Sequence, residues 1–124
     1  MELHRRVSIF VPAYNEAGNL EGAIHDIVGA AGPALEDYEI LLVDDGSTDG
    51  TGALADRLAQ EHPKIRVIHQ SRNLGIAAGY VRALDEAKLD YFSFLPADGE
   101  ISSDSIKNIF AAVGTADRAG RDAG

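Results

Sequence analysis

Four short apolar runs punctuate the chain: Val7–Val11 (VSIFV), Glu39–Val43 (EILLV), Ile65–His69 (IRVIH) and Tyr91–Leu95 (YFSFL). Each is rich in β-branched or aromatic residues and runs into turn residues, which predicts a strand. Between them the apolar positions repeat at helical period. Leu20, Ala23, Ile24, Ile27 and Val28 form one stripe; Leu54, Ala55, Leu58 and Ala59 form a second; Ile76, Tyr80, Ala83, Leu84 and Ala87 form a third. A fourth helix is expected to start near Ser102–Asp104, whose side chains suit an N-cap, and to carry Ile106, Ile109, Phe110 and Val113. The order βαβαβαβα implies parallel strands joined by right-handed crossovers. The expected fold class is α/β, an open and mostly parallel Rossmann-like sheet with helices on both faces. Such sheets hold ligands beyond the carboxyl ends of their strands, so the chemistry belongs in four strand-end loops.

Composition narrows the function. The 124 residues suit one domain, 45% hydrophobic and 25% charged. A formal net charge of −9 argues against a nucleic-acid partner. Phosphate ligands stay open to an acidic chain only through backbone N–H groups, a local Arg or a metal cation. The absence of cysteine excludes disulfides and Cys-ligated zinc and fits a cytoplasmic protein. No apolar stretch approaches the ~18 residues of a membrane-spanning helix, and MELHRR lacks a signal peptide's apolar segment. From about residue 114 to 124 the apolar period is lost, which reads as a linker or frayed end of a single domain spanning residues 1–124.

The strand-end loops are unequal. PAYNEAGN, after the first strand, offers Tyr14 as a flat face, with Asn15 suited to an N-cap and Glu16 to the positive end of a helix. It has neither the G-x-G-x-x-G of a dinucleotide fold nor a P-loop. After the second strand Asp44 and Asp45 are adjacent. Asp49 or Ser47 suits a helix cap, but capping does not explain two neighbouring carboxylates, which repel unless a donor or cation compensates. After the third strand Arg72 suits a carboxylate or phosphate, and Asn73 and Gly75 suit a turn. After the fourth, Asp98 and Glu100 could share a hard divalent cation with phosphate oxygens. His4, His25, His62 and His69 are scattered without metal-ligand spacing and are assigned to surface or packing roles. A phospho-receiver domain would place its acid pair after the first strand and an Asp after the third, where His69 and Gln70 stand.

Taken together, VSIFVPAYNEAGNL, YEILLVDDGSTDGT, SRNLGIAAGYVRAL and FSFLPADGE resemble the nucleotide-binding half of family-2 inverting glycosyltransferases of the GT-A fold, in the branch of polyprenyl- and dolichyl-phosphate sugar transferases. The resemblance covers roughly residues 6 to 112. It implies a nucleotide-sugar donor, a polyprenyl-phosphate acceptor, and work in the cytoplasm at the inner face of a membrane. It implies that Pro12, Ala13, Tyr14 and Glu16 contact the nucleoside, that Asp44 and Asp45 grip base and ribose, and that Arg72 lies near the donor. Asp98 matches the last acid of a D-x-D element that holds Mg²⁺ or Mn²⁺ against the donor diphosphate; Pro96 replaces the first acid. The acceptor half of the family is missing, so these residues alone are expected not to transfer sugar. The competing reading is an inactive nucleotide-binding or assembly domain. The uncharged, apolar fourth strand is expected at a sheet edge, where two copies of the chain could pair.

Overall fold

The computed structural model describes residues 5–113. Eight elements alternate: β1 (Arg6–Ala13), α1 (Leu20–Ala34), β2 (Asp37–Asp44), α2 (Thr51–Glu61), β3 (Ile65–His69), α3 (Ile76–Glu86), β4 (Tyr91–Phe94) and α4 (Ser103–Ala112). The tail expected to fray, 114–124, lies outside the described residues.

All four strands are parallel, in the order β3-β2-β1-β4. The chain steps outward from β1 to β2 to β3, then crosses back to add β4 beside β1. Right-handed crossovers therefore put α1 and α2 on one face and α3 on the other. The reversal makes β1 and β4 the switch point, and a crevice opens where loops leave in opposite directions.

The α1/α2/α4 face holds most of the core. Val7, Ile9 and Val11 of β1 and Ile40 and Leu42 of β2 pack there against Leu20, Ile24, Ile27, Leu58, Ile106 and Phe110, all nearly inaccessible to solvent. The opposite face is thinner. Phe10, Leu41, Val43 and Ile68 meet α3 chiefly through Ala83 and through Gly79, where a Cβ would stand 3.4 Å from the Phe10 ring and from Val43. The α3 stripe read from the sequence is therefore only partly a packing face. Ile76, Tyr80 and Leu84 are 58%, 43% and 48% exposed, because close approach runs through the small residues beside them. Tyr80 still meets Phe10 and Phe92 edge-on, at centroid distances of 6.0 and 5.3 Å.

Helix starts follow the expectation at α4, where the Ser102 hydroxyl accepts the Ser105 N–H at 3.1 Å. They differ at α1. That helix begins at Leu20 after Asn19, so Asn15 is not its cap. β4 is an edge strand among the described residues, as expected, and its Phe94 is 46% exposed.

Candidate functional site

A cleft of about 310 Å³ opens at the carboxyl ends of β1, β2 and β4, over the switch point. Pro12, Ala13, Tyr14 and Glu16 from the β1 exit form one wall, and Asn73, Gly75, Ile76 and Gly79 from the start of α3 form the facing one. Val43 and Asp45 come from β2, and Pro96, Ala97 and Asp98 from the β4 exit. The floor is small and apolar, and three acidic residues, Glu16, Asp45 and Asp98, are among those that line the cleft. Six of the eight residues expected from the sequence line it.

The adjacent acids diverge, because successive residues of a strand point to opposite faces. Asp45 turns toward α3. Its carboxylate accepts the N–H groups of Leu74 at 2.8 Å and Gly75 at 3.0 Å, which ties the β3–α3 loop to the end of β2. Only 7% of Asp45 is exposed, so those donors supply the compensation that a buried carboxylate requires. Asp44 turns toward α2 and does not line the cleft, which corrects the expectation that both acids face one ligand. One of its oxygens accepts the Ser47 N–H at 3.1 Å, and the other meets His69 Nδ1 at 2.8 Å. Burial pushes the Asp44 carboxyl up, but hydrogen bonds from Ser47 and His69 outweigh it and leave the group below the usual range.

His69 is the residue that sequence reasoning undervalued. The parallel register sets it directly opposite Asp44, and its Nε2 reaches Asp56 of α2 at 2.8 Å. Hydrogen bonds to Asp44 and then Asp56 raise its pKa against the opposing effect of burial. Its two carboxylate partners lie 25 and 13 residues away in sequence, so no local spacing announces them.

The β1–α1 and β2–α2 loops lie against each other. Asn15 adopts φ 52°, left-handed, and its side-chain oxygen accepts the Thr48 N–H at 2.8 Å. Gly46, at φ 71°, is required twice over: a Cβ there would stand 2.2 Å from the Arg72 carbonyl carbon. Arg72 itself is exposed, has no hydrogen-bond or ion-pair partner among the described residues, and does not line the cleft, although its neighbour Asn73 does. The sequence offered a signal for Asn73 and Gly75, since both lie within three residues of Arg72 and suit a turn; it offered none for Ile76.

For a divalent cation the donor set is sparse. No three His, Cys, Asp or Glu side chains gather into a metal cluster among the described residues. Asp98 brings one carboxylate to the cleft, where Oδ1 accepts the Glu100 N–H at 3.0 Å, and Pro96 lines the cleft with an apolar ring. One hard oxygen ligand fits Mg²⁺ or Mn²⁺ only where waters and phosphate complete the shell.

Comparison with known proteins bears on the family and the fold. The family profile described as Glycosyl transferase family 2 matches residues 8–120. The chain is 37% identical over 113 residues to a polyprenol monophosphomannose synthase of Mycolicibacterium smegmatis, covering 88% of this chain and 41% of that protein. It is 32% identical over 115 residues to an undecaprenyl-phosphate mannosyltransferase of Micrococcus luteus, covering 90% and 46%. Among solved structures, a mannosyltransferase from Pyrobaculum calidifontis, determined in complex with GDP-Man and Mn²⁺, superposes with TM-score 0.74 at 25% identity, over 90% of this chain and 33% of that one. The fold is also that of S. aureus TarS, with TM-score 0.72 at 22% identity. The chain thus spans less than half the length of these relatives.

Proposed function

The chain belongs to glycosyl transferase family 2, and on that premise we propose that its cleft binds the nucleotide of a nucleotide-diphosphate sugar and presents the sugar for metal-assisted transfer. The observation that carries this reading is the convergence of Glu16, Asp45 and Asp98 on one apolar-floored cleft at the switch point between β1 and β4. A nucleoside fits there by stacking on exposed Tyr14 and by donating base N–H and ribose hydroxyls to Glu16 and Asp45. Asp45 retains acceptor capacity, since a carboxylate offers about four lone-pair sites and two backbone N–H groups occupy only part of it. Arg72, one residue before Asn73 of the cleft wall and without a hydrogen-bond or ion-pair partner among the described residues, is free to reach a donor phosphate.

Asp98 is the residue that would hold Mg²⁺ or Mn²⁺, with the diphosphate as co-ligand. When bound, the cation would neutralise the charge of the departing nucleoside diphosphate. The GDP-Man and Mn²⁺ of the Pyrobaculum neighbour support this assignment. A polyprenyl phosphate, named in the mycobacterial and Micrococcus relatives, is the acceptor we infer. Its phosphate oxygen would form the new bond to the anomeric carbon as the bond to the diphosphate breaks. Being already anionic, it would need no strong base. Such an acceptor would set the complete protein to work at the inner face of a membrane. No helix among the described residues is long and apolar enough to cross one. Residues 1–124 are proposed to act as one donor-binding domain, unable to transfer sugar by themselves, and pairing of two copies along the β4 edge remains part of the proposal, supported by the exposure of Phe94.

Calorimetric titration with GDP-mannose and with UDP-GlcNAc, each with Mn²⁺ or with EDTA, tests the reading. Binding of one donor, strengthened by Mn²⁺ in the wild type and indifferent to Mn²⁺ in Asp98→Asn, is expected. Tight Mn²⁺ binding without nucleotide, or donor affinity unmoved by EDTA, would overturn the metal assignment.

A further inference from the structure

Three successive backbone N–H groups of the β1–α1 loop donate across to the β2–α2 loop and the first residue of α2. Asn15 N–H reaches Ser47 Oγ at 3.0 Å, Glu16 N–H reaches Thr51 Oγ1 at 2.9 Å, and Ala17 N–H reaches Asp49 Oδ2 at 3.4 Å. In return Asn15 Oδ1 accepts from Thr48 N–H at 2.8 Å and, more weakly, from Asp49 N–H at 3.3 Å. Thr51 Oγ1 in turn donates to Asp49, so hydroxyl and carboxylate hold each other in place. Ser47, Thr48, Asp49 and Thr51 do not line the cleft, yet they hold the loop that bears Tyr14 and Glu16, which do.

We propose that the loop after β2 is a clamp, and that Asn15, Asp49 and Thr51 are positioning residues which orient Tyr14 and Glu16 toward the nucleotide. The proposal rests on the reading of the cleft given above and adds how its first wall is shaped. A run of consecutive free N–H groups would be a natural anion cradle. Here internal acceptors fill it, so the backbone of 15–17 faces α2 and is closed to phosphate. Asn15 is the one non-glycine residue at positive φ among the described residues. Asn tolerates that conformation better than most residues, and its side chain is the acceptor for the opposite loop. The same residue thus makes the bend and latches it. The N-cap of α2 is Gly50, not the expected Asp49 or Ser47, and support of the helix start explains only the bond between Asp49 and the Thr51 N–H, at 2.9 Å. It leaves unexplained why Thr51, wholly buried, spends its hydroxyl on Glu16, 35 residues earlier.

Thr51→Val removes the hydroxyl with little change of shape, Thr51→Ser restores it, and Asn15→Gly keeps the bend without the latch. Amide hydrogen exchange at 15–17 and calorimetric titration with GDP and UDP are read on all three and on the wild type. Exchange at Glu16 is expected to quicken about tenfold in Thr51→Val, and nucleotide Kd to rise about three- to tenfold in Thr51→Val and Asn15→Gly, the scale of one hydrogen bond. Thr51→Ser should return both values toward wild type. Unchanged exchange in both clamp variants overturns the clamp. Faster exchange with unchanged affinity shows a cap without service to the cleft and overturns the positioning role. A wild-type chain that binds neither nucleotide refutes the reading of the cleft, and with it the service proposed here; the exchange measurements then still decide whether the clamp exists.

Discussion

The two ends of the parallel sheet carry similar charged residues and use them in opposite ways. At the amino ends of the strands the charges pair with each other. Arg6 meets Asp90 at 2.8 Å, Lys64 meets Asp37, and Arg66 lies between Glu39 at 3.4 Å and Glu86 at 3.5 Å. Glu39 also accepts the Ser8 hydroxyl at 2.6 Å and the Lys88 N–H at 2.7 Å, with 13% of its side chain exposed. At the carboxyl ends no Lys or Arg pairs with Asp44, Asp45, Glu16 or Asp98 among the described residues. Those acids take backbone N–H groups, an amide or an imidazole instead. Charge at the amino end is closed on itself and serves the fold. Charge at the carboxyl end keeps unused acceptor capacity around a cleft, which is what a ligand's N–H and hydroxyl groups or a cation would need.

If that division holds, substitutions at the two ends should separate binding from stability. The largest effect is expected at the carboxyl end. Asp45→Asn should weaken nucleotide binding about ten- to a hundredfold, or about 1–3 kcal/mol, because it weakens both a charge-assisted contact and the tie to the β3–α3 loop. Calorimetry checks the affinity, and an unchanged Kd would erase the contrast between the ends. Glu39→Gln, at the amino end, should cost about 1–2 kcal/mol in urea unfolding with nucleotide affinity unmoved. A matching loss of affinity would show that the ends are coupled.

A smaller effect sharpens the comparison through pH. The folded pKa of His69 is raised, so its stabilising contribution is complete below its unfolded value of 6.5 and is lost as pH rises through the raised folded value. The urea midpoint should decline across that window in the wild type, and the decline should vanish in His69→Gln. Because the His69 side chain is 44% exposed, solvent screening keeps the change modest. The smallest effect belongs to the pair Arg6–Asp90, each about half exposed. A double-mutant cycle in unfolding should give only the weak coupling of a solvent-exposed ion pair, and raising the salt should reduce it.

From the sequence alone come the element order, the parallel sheet and the end of the sheet at which a site would lie. Apolar periodicity is local, and alternation of strand and helix leaves little choice of handedness. It also determined most of the cleft: Pro12, Ala13, Tyr14, Glu16, Asp45 and Asp98 were all readable as strand-exit residues and all line it. What it left open depended on where side chains point and on partners distant in sequence. Asp44 and Asp45 look equivalent in a string of letters, yet the strand pleat sends one to His69 and the other to the cleft. Asn15 reads as a helix cap, but its partners are 33 and 34 residues away, and only the folding of β1 beside β2 brings Thr48 and Asp49 to it. The third helix shows a regular apolar stripe, yet Gly79 and Ala83 set its seat on the sheet and leave Ile76 and Tyr80 half in solvent. Periodicity fixes which face of an element is apolar. How closely that face approaches its neighbour, and which polar group it leaves beside another, is decided only when the elements pack.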